Sequence, residues 1–390
     1  MRASKRLDLI PPYIFAEIDR KIDAAKAKGI DIISLGIGDP DTPTLPHIVE
    51  QMHKSVDDAQ THNYPPYQGT KAFREECAVW MKNRFGVDLD SDSEVLALIG
   101  SKEGIAHVFF AFVDEGDYTL VPDPGYPVYR NATILAGGTP YLMPINPENK
   151  FMPDLDAIPE DVAKKAKLIF LNYPNNPTGA VGCMEYFKKV VEFAKKYDIL
   201  ICHDQAYCEM TYDGYVAPSF LEIEGAKERT IEFFSHSKTY NMTGWRIGWA
   251  CGGVEPMKAL STIKNNIDSG AFKAIQEAGI TALKTPQSQI DELNLMYQKR
   301  RDIVVAALRE MGWDIEPTKA TFYIWLPTPK GMSAVEFVDI MLEKARIVVP
   351  PGTGYGPNGE GFFRIALTVG EERLKEAMQR MKDAGIRYEK

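Results

Sequence analysis

Apolar and polar residues follow one another along this chain in two rhythms. Short apolar runs bounded by turn-forming residues read as strands: Val95–Ile99, Tyr118–Val121, Pro140–Pro144, Leu168–Asn172, Ile199–His203, Thr230–Ser235 and Ile247–Cys251. Between them lie stretches with the period of an amphipathic helix, such as Glu103–Val113 and Met184–Tyr197. In the second of these, Phe187, Val190, Val191, Phe193 and Ala194 form an apolar stripe opposed by Lys188, Lys189 and Lys195. Strands alternating with helices predict an α/β domain. After about Ile280 the texture changes. A long helical stretch, Ser288–Met311, precedes strand-like Thr321–Leu326, helix Ser333–Lys344, strands Ile347–Val349 and Phe362–Leu367, and a closing helix Glu371–Ala384. That mixture predicts a second, smaller α+β domain.

Composition narrows the classes. A chain of 390 residues exceeds one small core, and 45% hydrophobic with 25% charged residues is ordinary for a globular protein. A formal charge of −9 without a dense basic run argues against nucleic-acid binding. No apolar window reaches membrane-spanning length, and the basic start is not followed by an apolar signal core, so the expectation is a cytoplasmic protein. Cys77, Cys183, Cys202, Cys208 and Cys251 are dispersed and odd in number, which predicts reduced thiols. The group Cys202, His203, Asp204 and Cys208 fits no common zinc spacing, so no metal is expected.

Five segments carry candidate chemistry. In Ser235-His236-Ser237-Lys238, a lysine follows a strand among hydroxyl residues, and Arg246 comes eight residues later. Such a lysine can bond a carbonyl carbon while the arginine grips an anion. On an extended segment His236 faces away from both serines and is left out of the site. Asn172-Tyr173-Pro174-Asn175-Asn176-Pro177-Thr178-Gly179 ends another strand; a plain loop uses the same residues, but an Asn176 amide can donate to a phenolic oxygen. Asp204 sits at a strand end with Tyr207 after it, where it serves either as a helix cap or as a carboxylate facing a ligand. Gly100-Ser101-Lys102-Glu103-Gly104 follows a strand and opens a helix, a natural phosphate cradle. Arg364, inside the apolar run Phe362–Ala366, calls for an anion, either a structural carboxylate or that of a substrate. The Gly36-x-Gly38 pair is no dinucleotide fingerprint, because Asp39 and Pro40 follow and no helix-opening glycine does.

In this order, NNPTG, D-x-A-Y, S-x-S-K with its GWRIG tail, and FFRIA, the chain resembles the class I/II aminotransferases of pyridoxal phosphate (PLP) fold type I. That resemblance implies a large domain with a mixed, mainly parallel seven-stranded sheet between helices, plus a smaller α+β domain. It divides the chain into an N-terminal arm and helix (1–44) joining the small domain, a PLP-binding domain (45–285) and a C-terminal domain (286–390). It implies that Lys238 bonds the cofactor and shuttles a proton, and that Asp204 pairs with the pyridine nitrogen. Asn176 and Tyr207 hold the ring's 3-oxygen, and Tyr126 stacks on the ring. Ser101, Lys102, Ser235, Ser237 and Arg246 line the phosphate side. Tyr64 reaches the cofactor of a neighbouring subunit, which implies a homodimer with shared active sites. Arg364 binds the substrate α-carboxylate, Gly38 and Tyr13 close over the substrate, and Lys102 lies near it.

The implied reaction is ping-pong transamination with 2-oxoglutarate as acceptor. Pro12–Phe15, Leu35–Pro40 and Gly100–Gly104 are similar to the LL-diaminopimelate aminotransferase group. Two positions depart from the plant-type members of that group: Tyr67 stands where a glutamate is expected, and Ser269 where a partner-subunit asparagine is. Aspartate, alanine or methionine remain alternative amino donors. A β-lyase on the same fold, or a PLP-binding regulatory module, are the rival classes.

Overall fold

Seven apolar runs become one sheet, whose inner strands are buried at nearly every residue and so covered on both faces. The structure, a computed structural model, describes residues 1–11 and 29–389 together with Arg20, Ile22, Asp23, Ala25 and Ala27. The predicted helix over 12–28 and the Tyr13 site assignment therefore lie outside the described residues, apart from those five positions. In chain order the strands are β1 (Ile33–Ser34), β2 (Val95–Leu98), β3 (Tyr118–Asp123), β4 (Thr139–Pro144), β5 (Ala166–Asn172), β6 (Leu200–Asp204), β7 (Thr230–Ser235), β8 (Gly248–Gly252), β9 (Tyr323–Pro327), β10 (Ile347–Val348) and β11 (Phe362–Ala366). The large sheet has the order β2-β8-β7-β6-β5-β3-β4. Only β8 runs against its neighbours; it is antiparallel to both β2 and β7. The fold is thus the mixed, mainly parallel α/β architecture that the resemblance implied.

Alternate residues of β5 show how the layers are filled. Leu168 and Phe170 pack with Val108 and Phe109 of the helix Ser101–Phe112. Ile169 and Leu171 go to the other face, against Phe187, Val190, Val191 and Ala194 of the helix Met184–Tyr197. The predicted stripe on that helix is the buried one; Phe193 is only partly covered.

A separate apolar cluster gathers Ile33 and Leu35 with Tyr297, Leu308, Trp313, Phe337, Phe363, Leu374 and Met378. Around it β9 pairs antiparallel with β11, and β1 pairs parallel with β10. The predicted helix over Ser333–Lys344 is capped by a reciprocal Ser333–Glu336 box, then widens into a π-helical turn at Met341–Ala345. A polar bridge joins the two cores: Asp123 at the end of β3 accepts from Asn358 Nδ2 at 2.5 Å. Within the second core Arg300 grips Asp41 with two bonds of 2.6 and 2.9 Å. Among the described residues no helix is long and apolar enough to cross a membrane.

Phe170 is the hinge of an aromatic stack, 4.5 Å from the Tyr129 ring, 5.2 Å from Phe109 and 6.1 Å from Phe233. We expect Phe170→Ala to lower unfolding stability by about 3–5 kcal/mol, the usual cost of emptying an aromatic site. Urea unfolding followed by tryptophan fluorescence measures it, and a loss under about 1 kcal/mol would show that the stack does not hold this layer together.

Candidate active site

Strand direction explains where the polar residues meet. Because β8 is reversed and β2 is antiparallel to it, the ends of β2, β3, β5, β6 and β7 and the start of β8 share one edge. Register aligns Asn172 with Asp204, Asp204 with Phe233, and Ser235 and Leu98 with Gly248. The turns that leave this edge surround a cavity of about 260 Å³. It is lined by Gly38, Ser101, Lys102, Tyr126, Asn176, Asp204, Tyr207, Ser235, Ser237, Lys238 and Arg246, all expected from the sequence. Ile37, Asn172, Ala206, Thr243 and Tyr323 line it as well. Edge loops of an α/β sheet are the usual ligand position.

Lys238 lies in a short helix, His236–Thr239, whose N-cap Ser235 accepts from the Ser237 N–H. The segment is therefore helical where an extended one was expected, because Ser235 satisfies its first turn. His236 still points away, its Nε2 3.2 Å from the Gly279 carbonyl oxygen. Lys238 Nζ donates to the Gly38 carbonyl at 2.7 Å. Burial lowers the lysine pKa to about 8; Asp39 and Asp204 oppose that shift, while Arg364 and Arg246 reinforce it. Gly38 must be a glycine here, since a Cβ would sit 1.9 Å from the Tyr323 hydroxyl and 2.7 Å from its ring.

Asp204 is buried at the end of β6. Its Oδ2 accepts from the Tyr129 hydroxyl at 2.8 Å and its Oδ1 from the Ala206 N–H at 3.2 Å. Burial raises its pKa, while those bonds and nearby His203 and Lys238 oppose the rise. Asn172 organises the next turn. Its amide donates to the Asp204 and Pro174 carbonyls, and its oxygen accepts the Asn176 N–H at 2.8 Å. Asn176 Oδ1 accepts from Arg364 Nη1 at 2.8 Å, which directs the Asn176 amide nitrogen elsewhere.

At the opposite wall, Ser101 opens the helix Ser101–Phe112 behind Gly100, at φ 72. Two glycines keep this corner open: a Cβ on Gly248 would lie 2.9 Å from the Ser101 nitrogen, and one on Gly100 would lie 2.2 Å from the Arg246 guanidinium. Glu103 pins the turn by accepting the Ile99 N–H at 2.9 Å. Glu103, His107 and Asp268 lie close enough to suggest a cation, but the buried Lys264 ammonium sits 2.6 Å from Asp268 and 3.4 Å from Glu103 and fills that role. Of the cysteine–histidine group near Asp204, His203 is held by Glu232 at 2.9 Å, and burial pushes the Cys202 and Cys208 thiols well up.

This donor set fits PLP. Around one cavity the structure gathers an anion cradle of helix N-terminus, serines and Arg246, a buried carboxylate, an amine, an aromatic ring, and amide and phenol groups. Arg364 differs in position from a cavity wall. It is buried one layer back, donating to Asn176 and to the Gly36 carbonyl, with its guanidinium 4.0 Å from the Tyr323 ring centre. Tyr64, 85% exposed, and Ser269, also exposed, stand away from this chain's cavity. Sequence reasoning missed Tyr129 and Tyr323, whose partners lie 75 and 116 residues away.

The family described as aminotransferase class I and II matches residues 30–381. An LL-diaminopimelate aminotransferase from Gloeobacter violaceus is 59% identical over 391 residues, with 100% of each chain covered. One from Nostoc sp., LL-diaminopimelate aminotransferase 2, is 58% identical over 389 residues, again covering 100% of both. The solved structure of substrate-bound BacF from Bacillus subtilis is 34% identical, covers 100% of this chain and 99% of its own, and superposes with a TM-score of 0.95.

An amine with a pKa of about 8 is neutral above that pH, whereas a free lysine loses its proton near 10.4. Initial rates of PLP attachment to cofactor-free protein, followed by absorbance from about pH 7 to 10, should therefore rise to a plateau with a midpoint near 8. A midpoint still near 10 would show that Lys238 is solvated.

Proposed function

The chain belongs to the class I and II aminotransferase family, and from that premise we propose that it transfers an amino group from LL-2,6-diaminopimelate to 2-oxoglutarate, yielding tetrahydrodipicolinate and L-glutamate in lysine biosynthesis. The observation that carries the reading is the convergence of Lys238, Asp204, Asn176, Tyr207 and the Ser101–Arg246 corner on one cavity, in a chain 58–59% identical end to end to proteins of that name.

The family is PLP-dependent, and the bound cofactor supplies an aldehyde that bonds amines and a ring that withdraws electrons from the substrate α-carbon. Ser101, Ser235, Ser237, Arg246 and Lys102 would hold its phosphate, Asp204 its ring nitrogen, Asn176 and Tyr207 its 3-oxygen, Tyr126 its face, and Lys238 its aldehyde carbon. The depressed pKa of Lys238 suits an amine that takes a proton from the substrate α-carbon and returns one on the other side of the transfer. The Arg364 guanidinium grips the α-carboxylate, its plane set by the bonds to Asn176 and Gly36 and by the Tyr323 ring. Burial raises the Asp204 pKa, and a cationic ring nitrogen held beside it would favour the ionised form and offset that desolvation.

The same reading divides the chain into 1–44, 45–285 and 286–390, supported by the pairing of β1 with β10 near the other end of the sequence. It makes the protein a cytoplasmic homodimer in which Tyr64 completes the site of a second copy. The exposure of Tyr64 and Tyr67 supports that role. Tyr67 and Ser269 favour a second reading, an aspartate-, alanine- or methionine-type enzyme, because neither side chain supplies the charge or amide of the plant-type pattern.

Steady-state kinetics with LL-diaminopimelate, aspartate, alanine and methionine against 2-oxoglutarate separate these readings. We expect LL-diaminopimelate to have at least about tenfold higher kcat/KM than the others, equivalent to about 1.4 kcal/mol of transition-state preference, with no turnover in Lys238→Ala. Ammonia release without 2-oxoglutarate would instead identify a lyase. Arg364→Lys keeps the charge but loses the fork. It should reduce kcat/KM for the amino acid roughly 30- to 700-fold, corresponding to about 2–4 kcal/mol, while cofactor content measured by absorbance stays full. Loss of cofactor instead would count against the carboxylate role.

A further inference from the structure

We propose that Tyr323 is a positioning residue for this reaction, its hydroxyl orienting Tyr207 and its ring seating Arg364, so that one side chain ties the ring-oxygen wall of the pocket to the carboxylate-binding wall. The inference rests on the proposed roles of Tyr207 and Arg364 and assigns a third residue that acts through both.

Sheet register supplies the geometry. In the β9–β11 ladder Tyr323 is paired with Ala366 and Trp325 with Arg364. Tyr323 and Arg364 are thus diagonal neighbours on one face, a spacing that long side chains span. Alanine opposite Tyr323 leaves room above the ring, and the Arg364 guanidinium occupies it, 4.0 Å from the ring centre. The Tyr355 ring lies 5.0 Å from the same guanidinium carbon. A guanidinium between two aromatic rings keeps its charge and its plane without a direct ion pair to the tyrosines.

The other end of Tyr323 reaches the cavity. Its hydroxyl is 3.0 Å from that of Tyr207, and the two rings meet edge to face at 5.6 Å and 71°. Both residues are buried, at 2% and 5% exposure, so a hydroxyl there without a partner is costly. Burial raises the pKa of both hydroxyls; for Tyr323 the charge and hydrogen bonding of Arg364 pull back against it, whereas Tyr207 is raised well above its ordinary value. Either hydroxyl can donate in this pair. With the Tyr323 hydroxyl donating to the Tyr207 oxygen, the Tyr207 proton is left to face the cavity, the direction its role at the 3-oxygen requires. The missing side chain of Gly38 leaves the space that the Tyr323 hydroxyl occupies, since a Cβ there would lie 1.9 Å from it.

The test uses PLP-loaded Tyr323→Phe, Tyr323→Leu, Tyr207→Phe and the double variant Tyr207→Phe/Tyr323→Phe. Two quantities are read on each: the midpoint of the pH-dependent change in the cofactor's visible absorbance, and the split between KM and kcat for the amino acid. Tyr323→Phe is close to isosteric and should melt near the wild-type temperature. It should move the absorbance midpoint in the same direction as Tyr207→Phe, by about half a pH unit or more, with KM within about twofold because the ring under Arg364 remains. The double variant should match Tyr207→Phe alone, since the hydroxyl acts through Tyr207. Tyr323→Leu should shift the midpoint as Tyr323→Phe does and also raise KM about tenfold or more. A wild-type midpoint in Tyr323→Phe, alongside a shifted one in Tyr207→Phe, overturns the proposal and leaves the Tyr207 role standing. An unmoved midpoint in Tyr207→Phe removes the assignment of Tyr207 to the ring oxygen, and this proposal with it.

Discussion

A largely desolvated amine, with a carbonyl rather than a carboxylate as its hydrogen-bond acceptor, is the constraint around which the pocket is arranged. Lys238 bonds the Gly38 backbone at 2.7 Å, and burial brings its pKa to about 8. A direct ion pair at that distance would hold the amine protonated and unreactive. Asp39 and Asp204 act on it only through space, against Arg364 and Arg246, so opposing charges leave burial as the largest influence. The carbonyl that accepts from Lys238 belongs to a residue that cannot carry a side chain, because Tyr323 occupies that space. The lysine's chemistry thus depends on a glycine some 200 residues away in sequence.

The cavity also lies where two separately packed cores touch. Arg364 comes from β11 and bonds Asn176 after β5 and Gly36 after β1. Tyr207 after β6 meets Tyr323 on β9, and Asn358 meets Asp123 at the end of β3. Polar bridges of this kind add little stability for their number, because each charge must be desolvated. What they fix is geometry: they set Arg364 relative to the amine. Register within a sheet could not do so, since Arg364 lies on β11 of the two-stranded sheet while Lys238 sits in a short helix that follows β7 of the seven-stranded one.

Much of this could be read from the chain because parallel strands buried on both faces leave uninterrupted apolar runs, and site residues fall at the turns that end them. Thr230–Ser235 coincides with the predicted strand, and Met184–Tyr197 with the predicted helix. The two-residue β1 left no pattern, since a strand that short has no measurable period. Tyr129 and Tyr323 were hidden for a different reason. Each looks like an ordinary core aromatic, and each gains its place at the site only through a hydroxyl contact made across the fold. The depth of Arg364 was likewise invisible. The sequence asked for an anion beside it, and the structure sets it behind Tyr323, where bonds to the Asn176 and Gly36 oxygens and the Tyr323 ring hold its plane.

On the proposed function, the deep pocket reads only what every amino acid shares: an α-carboxylate, an amine and an α-proton. Selection of one side chain over another then falls to the rim. On this chain the residues matched to the distal contacts, Tyr67 and Ser269, are exposed and lie on neighbouring loops. Gly270, at φ +87, packs so closely there that a Cβ would come within 3.1 Å of Pro65 and 3.3 Å of the Pro66 carbonyl. A change at Ser269 and a change at Tyr67 thus act on one surface rather than two. Tyrosine offers one donor and a broad face, and serine a short hydroxyl, so on the proposed function this rim would meet a distal amino-carboxylate end through hydrogen bonding and stacking instead of a fixed negative charge. On the homodimer proposal that surface belongs to the second copy's pocket, and substrate choice becomes a property of the assembled pair.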